Sequence, residues 1–202
     1  MGDKWTLLIV RDLTGGPRRF VELQRVLPGI STEQLRSRLN RMVADGLLTR
    51  QRYREVPPRV DYELTERARD LLPVVGALAR WGARWAWGPP RPGERVDIGA
   101  ILRAATGVRP APRMKGTVEV SVAGDGGGDL VATLTARGGA LAYAERPAEP
   151  ADARIAGPRQ AWIAALGPDA DRSGLAFEGD RALAEGMLDL LADSARAAAA
   201  AA

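Results

Sequence analysis

The sequence predicts an α+β chain in two parts: helix, helix, helix, hairpin, helix in the first, and a mixed sheet with helices on one side in the second. Three observations lead there. The apolar spacing is helical through most of the first 85 residues and becomes strictly alternating from Gly116. A Pro- and Gly-rich stretch, Trp87-Gly-Pro-Pro-Arg-Pro-Gly93, separates the two regimes. Charge divides at the same place, with 18 Lys+Arg against 11 Asp+Glu in residues 1–95 and 11 against 14 in residues 96–202. The expected organisation is therefore residues 1–87, a stiff linker at 88–94, a second domain at 95–195 and an Ala-rich tail at 196–202.

Lys4 to Leu13 reads as a helix with Trp5, Leu8, Ile9 and Leu13 near one face, stopped by Thr14-Gly-Gly-Pro17. Phe20 to Leu27 is a second, short helix ended by Pro28-Gly29. Ser31-Thr-Glu-Gln34 is a capping box, so a third helix starts at Thr32 with Leu35, Leu39, Met42 and Val43 inward and ends at Asp45-Gly46. Leu47 to Arg54 and Val60 to Leu64 read as strands joined by Glu55-Val-Pro-Pro-Arg59, a hairpin with a stiff basic tip. Thr65 caps a long fourth helix carrying an apolar stripe of Leu71, Leu72, Val75, Leu78, Trp81 and Trp85.

That order of elements is the order of a winged helix-turn-helix, in which a capped helix enters the major groove and a basic hairpin meets the backbone or minor groove. Opposite the buried stripe, and from its first residue, the third helix offers Thr32, Glu33, Arg36, Ser37, Asn40 and Arg41. Arg suits guanine and Asn suits adenine in groove geometry. An ordinary solvated helix face has the same composition. The basic hairpin, with Arg50, Arg52, Arg54 and Arg59, favours a polyanionic partner, and Arg52, Arg54 and Arg59 are the phosphate candidates.

The zero counts exclude other chemistry. Without Cys or His there is no disulfide, thiolate nucleophile, imidazole base or usual zinc site. No apolar run approaches the ~20 residues of a membrane span, and no signal-peptide pattern opens the sequence, so a cytoplasmic protein with no membrane partner is expected.

Several stretches carry a family resemblance. Gly2-Asp-Lys-Trp-Thr-Leu-Leu-Ile-Val-Arg-Asp-Leu13, Gly16-Pro-Arg-Arg-Phe-Val-Glu-Leu23, Leu27-Pro-Gly-Ile-Ser31, Ala44-Asp-Gly-Leu47 and Tyr53-Arg-Glu-Val-Pro-Pro-Arg-Val-Asp-Tyr-Glu-Leu-Thr65 resemble the HxlR family of bacterial transcriptional regulators over residues 2–85. The resemblance implies a homodimeric winged helix, related to the MarR group, on double-stranded operator DNA. Family members usually have a further segment, often with a cysteine, before the stretch at which this sequence opens. The absence of Cys removes thiol-based sensing.

In the second half, Asp97 to Ala105 reads as a helix with Ile98, Ile101 and Leu102 on one face. Gly116 to Val122 is a half-buried strand with Val118, Val120 and Val122 in phase; Asp125-Gly-Gly-Gly-Asp129 turns it into an antiparallel partner, Leu130 to Ala136. Gly138-Gly139 leads to a third strand, Ala140 to Ala144. Asp152 to Ala156 is a strand, Pro158 starts a helix through Trp162 and Leu166, Gly174 to Glu178 is the last strand, and Asp180 opens a helix with Leu183, Met187, Leu188 and Leu191 on one face.

Asp152-Ala-Arg-Ile-Ala-Gly157, Gln160-Ala-Trp-Ile-Ala-Ala-Leu166 and Leu175-Ala-Phe-Glu-Gly-Asp180 resemble a sterol-carrier type of lipid-binding domain over about residues 95–195. That resemblance implies a cavity between sheet and helices holding an apolar molecule, lined by Val118, Val120, Leu134, Trp162, Leu166, Phe177, Met187 and Leu191. Packed core is the competing reading of the same side chains. Three functions follow: a regulator whose second domain senses an apolar effector, with Trp81, Trp85 and Trp87 in the coupling path; a regulator whose second domain is a ligand-free dimer or partner platform, favoured by a well-packed core; and a sequestering protein or enzyme. Glu178 and Asp180 beside Arg181 are the best carboxylate set for the last, and helix capping explains Asp180 better. No catalytic residue, cofactor or metal is expected.

Overall fold

The computed structural model of the chain describes residues 3–54, 59–86, 88, 96–124, 129–167 and 169–196. The hairpin tip at 55–58, most of the linker, the turn at 125–128 and the Ala-rich tail lie outside the described residues. Two compact units are present, Met1–Val75 and Gly76–Ala202.

The first unit begins with α1 (Lys4–Asp12), whose N-cap is Asp3, accepting from the Trp5 and Thr6 amides. Its inward face is Thr6, Ile9, Val10 and Leu13 rather than the expected Trp5, Leu8, Ile9 and Leu13. Trp5 and Leu8 are half-buried, and Trp5 carries the Lys4 ammonium 4.5 Å above its ring. After β1 (Arg18–Arg19), a strand with no sequence signal, come α2 (Phe20–Val26) and α3 (Thr32–Ala44). The capping box at Ser31 forms in both directions: Gln34 N donates to Ser31 Oγ, and Ser31 N to Gln34 Oε1. Leu35, Leu39 and Met42 are buried and Val43 half-buried.

Strands β2 (Leu48–Tyr53) and β3 (Arg59–Leu64) pair antiparallel, and β1 adds to the other side of β3, giving the order β1-β3-β2. Thr65 caps a helix as expected, but only the single turn α4 (Glu66–Arg69); the chain restarts as α5 (Leu72–Trp85). Pro73 explains the break. It has no N–H to give the Arg69 carbonyl and its ring would collide with that carbonyl, so it is accommodated in the first turn of a new helix. Along α5, Val75 is buried, whereas Leu78, Trp81 and Trp85 are 52%, 61% and 65% exposed.

The second unit begins within α5, at Gly76, and contains α6 (Ile98–Ala105), β4 (Gly116–Ala123), β5 (Leu130–Arg137), β6 (Ala140–Ala144), β7 (Ala153–Pro158), α7 (Arg159–Leu166), β8 (Ala176–Gly179) and α8 (Arg181–Arg196). Its sheet has the order β6-β5-β4-β7-β8, with β4 and β7 parallel and all other pairs antiparallel. Alternation puts Val118, Val120, Val122, Ala132, Leu134, Ala136, Ala153 and Ile155 on one face, where Leu102 of α6, Trp162 of α7 and Met187 of α8 join them in one core. This is the mixed sheet with helices on one side that the alternation predicted. Pro158 serves as N-cap of α7 rather than as its first residue.

Candidate nucleic-acid interface

The third helix is held at its middle and at its C-terminal end. Arg38 leaves its half-buried flank and reaches Asp3 at 3.1 Å, tying α3 to the cap of α1. Burial pushes the Asp3 carboxyl up, but bonds from Thr6 Oγ1 and the Trp5 and Thr6 amides, with Arg38 beside it, outweigh this and hold it below its usual range. At the far end Arg67 donates to the Asp45 carbonyl at 3.1 Å. Sequence patterning missed Arg38, whose signal is an acidic N-cap on the neighbouring helix.

With Leu35, Leu39 and Met42 turned inward, Thr32, Glu33, Arg36, Ser37, Asn40 and Arg41 are all exposed, as one face of α3 requires. Arg36 is ion-paired to Glu33 at 2.8 Å and Arg41 lies 3.8 Å from Asp45, both within the helix. Thr32 Oγ1 accepts from Gln24 Nε2 at 2.8 Å, which links α2 to the start of α3.

The hairpin arginines divide into two kinds. Arg52 and Arg54, with Arg50, are exposed and have no carboxylate partner among the described residues. Arg59 departs from the expectation of a free phosphate-binding cation at the tip. It is the first residue of β3, and its Nε donates to both Asp61 oxygens at 3.0 and 2.9 Å while Nη2 donates at 2.6 Å. Its guanidinium also lies 5.0 Å from the Tyr53 ring. The cause is Asp61, a carboxylate buried within the three-stranded sheet that needs a cation; Arg19 on β1 supplies a second at 3.9 Å. The Arg59 hydrogen bonds hold the Asp61 carboxyl below its usual range against the opposing effect of burial. Arg59 is thus paired inside the wing, which the sequence pattern of its neighbours does not show.

In the second unit, the eight side chains expected to line an apolar cavity are packed instead. Val118, Val120, Leu134, Trp162, Leu166, Met187 and Leu191 are fully or almost fully buried against one another, and Phe177 packs partly buried at their edge under the Arg181 guanidinium. Trp162 Nε1 donates to the Ser121 carbonyl at 3.0 Å, pinning the largest of them. A cleft of about 700 Å³ lies on the opposite, wet face of the sheet, between Thr117, Thr133, Thr135 and the strap that carries Arg146, Pro147 and Glu149. The core side holds a polar network: Arg103, buried, bonds Asp97 at 3.1 Å and Glu145 at 2.5 Å, and Tyr143 donates to Glu145 at 3.0 Å. Burial and the Glu145 charge push the Tyr143 phenol well above its ordinary value.

Asp180 caps α8 through the Leu183 amide, and Arg181 pairs with Glu185. Among the described residues no cluster of three acidic side chains could hold a metal ion, and no helix is long and apolar enough to cross a membrane.

A capped helix presenting arginine and asparagine outward, behind a three-stranded wing with exposed arginines, defines a winged helix-turn-helix protein. The chain matches the HxlR-like helix-turn-helix family model over residues 1–88. It is 41% identical over 85 residues to the uncharacterized HTH-type transcriptional regulator sll1512 of Synechocystis sp., spanning 42% of this chain and 63% of that relative. It is 37% identical over 96 residues to an HTH-type transcriptional regulator of Methanothermobacter thermautotrophicus, spanning 48% of this chain and 73% of the relative. A crystal structure of the HTH-type transcriptional regulator ytcD is 41% identical across 41% of this chain and 84% of its own, with a TM-score of 0.40. The chain belongs to the HxlR-like helix-turn-helix family.

Proposed function

We propose that the protein is a homodimeric transcriptional regulator that binds double-stranded operator DNA through its first unit. The observation that carries this reading is the exposed face of α3, Arg36, Ser37, Asn40 and Arg41, standing opposite a fully buried Leu35-Leu39-Met42 stripe. Arg36 and Asn40 read base edges, Arg50, Arg52 and Arg54 neutralise phosphates, and two copies meet half-sites about one helical turn apart. Glu33 restrains Arg36 until the helix docks, which penalises binding to sites that offer Arg36 no guanine.

For the second unit, the packed core favours a dimer or partner platform over an apolar-effector pocket. An effector entering between sheet and helices would have to displace Trp162 and the valines of β4. The apolar side chains exposed along α5, Leu78, Trp81 and Trp85, are surface that a second copy covers. The platform reading assigns the unit no catalysis, cofactor or metal.

The test is anisotropy binding of the purified chain to its own upstream region and to random duplex of equal length, at several salt concentrations, with and without an extract of apolar metabolites. Specific binding that ignores the extract is the expected result. Equal affinity for both duplexes overturns the regulator reading, and an extract-dependent affinity overturns the platform.

A further inference from the structure

We propose that the edge strand β6 of the second unit pairs antiparallel with β6 of a second copy, joining two five-stranded sheets across a two-fold axis at Ala142. This deepens, and rests on, the reading of that unit as a platform.

The hydrogen-bonding direction of β6 follows from its turn. Gly138 and Gly139 have φ of +59° and +73°, the pair of positive values that a two-residue type I′ hairpin needs. In such a hairpin the residues flanking the loop, Arg137 and Ala140, form a hydrogen-bonded pair, and the register then makes Thr135–Ala142 and Thr133–Ala144 hydrogen-bonded pairs too. The N–H and C=O groups of Leu141 and Tyr143 therefore point away from β5. Strand order leaves β6 at the edge, and no described residue bonds those four groups.

Edge strands are ordinarily defended by charge, proline, a bulge or extreme shortness. Ala140-Leu-Ala-Tyr-Ala144 has none of these. The opposite edge, β8, does: it has four residues, carries Glu178 and ends at Gly179 with φ of +75°.

The strand is also complementary to itself. With Ala142 on the axis, Leu141 of one copy faces Tyr143 of the other, and the outward groups make four N–H···O bonds, two in each hydrogen-bonded pair. On the wet face Ala140, Ala142 and Ala144 oppose Ala144, Ala142 and Ala140, so only methyl groups meet. Continuing the register sets Glu145 and Arg146 opposite Gly139 and Gly138 of the turn. No like charges face each other, so the register that sets Leu141 against Tyr143 and methyl against methyl accepts a second copy without repulsion. Four such bonds make a weak contact alone; chains already held together elsewhere present it at an effective concentration of about millimolar.

The experiment is residue-resolved amide exchange on the full chain across a dilution series, for the wild-type protein, Ala142→Lys, Ala142→Glu and an equimolar mixture of the two variants. Ala142 is exposed, so either charge is tolerated by the fold, and it places like charges directly across the axis. In the concentrated wild-type protein the Leu141 and Tyr143 amides exchange roughly tenfold more slowly than in either variant alone, and the mixture restores the protection. Equal exchange rates in all four samples overturn the pairing. If α5 or another segment of residues 76–196 is nevertheless protected on concentration, the platform stands and β6 is not its contact; if no segment responds, the platform falls as well.

Discussion

Two arginines of the wing, alike in sequence, should fail in opposite ways. Arg52 is exposed and has no partner among the described residues, so Arg52→Ala leaves the fold intact and removes one phosphate contact per wing. A dimer loses two contacts, and the slope of log affinity against log salt becomes shallower by about 1.8. Between about 50 and 200 mM salt, the wild-type protein then loses ~12-fold more affinity than the variant. Arg59→Ala acts on stability. It deprives Asp61, whose side chain is 3% exposed, of bonds at 2.6 to 3.0 Å and leaves, among the described residues, only Arg19 at 3.9 Å. Breaking a buried pair costs about 3–5 kcal/mol; the 38% exposure of Arg59 and the nearby Arg19 reduce that to about 1–2 kcal/mol. A unit of this size then melts roughly 5–10 °C lower. Thermal unfolding by circular dichroism, with anisotropy titrations over the salt series, reads both quantities. An Arg59→Ala protein with unchanged melting and a flattened salt slope would show that Arg59 is a phosphate ligand and that the division drawn here is wrong.

Removing the side-chain amide of α3 by Asn40→Ala should relax discrimination at one base pair by ~1–3 kcal/mol while leaving random-duplex affinity nearly unchanged, measured by competition against single-substituted operators. Glu33→Gln frees Arg36 from its 2.8 Å partner and removes a negative charge from the groove face, so random-duplex affinity should rise and the ratio of specific to random binding fall. Asp3 and Asp61 both have carboxyls held below the ordinary value of 3.8 in the folded chain. Their contribution is complete above that value and is lost as pH falls through the lower folded values, so stability of the first unit should decline below about pH 4. Asp61→Asn should flatten that decline in an acid titration followed by circular dichroism. In the second unit, a Cβ at Gly174 would lie 2.7 Å from the Ala161 Cβ, so Gly174→Ala should destabilise by about 1–3 kcal/mol in chemical denaturation. A neutral result would mean that the segment before β8 can move away from α7 without cost.

Most of the first unit was legible because its signals are local. The Ser31 capping box, the Leu35-Leu39-Met42 period and the Thr65 cap each act within a few residues, and each forms where the sequence puts it. The misreadings involve partners distant in sequence. β1 exists only because Arg18 and Arg19 meet Tyr62 and Asp61 of β3, more than forty positions away. The pairing of Arg59 with Asp61 was hidden for a similar reason: its neighbours in sequence say that it is basic and near a tip, and only the sheet says that Asp61 is buried. Pro73 was visible, and its consequence was masked by an apolar stripe that continues in phase across it. On α3 the exposed face was legible, but the partition of its arginines was not, since Arg38 is chemically identical to Arg36 and is separated from it only by about 200° of helix and an aspartate on α1.

The reading of the second unit turns on what small residues mean. Few aromatics and many alanines suggest a thinly filled interior, and a thin interior suggests a cavity. The structure uses the same residues for the reverse purpose. Ala161, Ala165 and Ala184 of α7 and α8 are buried in the same core as Ala132, Ala136 and Ala153 of the sheet, and at Gly174 an added Cβ would lie 2.7 Å from the Ala161 Cβ. At Gly157 an added Cβ would lie 2.7 Å from Leu175, so this contact too is closed. One large ring, Trp162, fills the remaining depth. Small side chains leave a cavity when the backbone spacing is fixed, and draw the layers together when it is free to adjust. Composition alone does not distinguish the two cases, but the close approaches at Gly157 and Gly174 favour the second. With the interior closed, what this unit has to offer another molecule lies on its surface: a polar cleft under the strap and an undefended edge at β6.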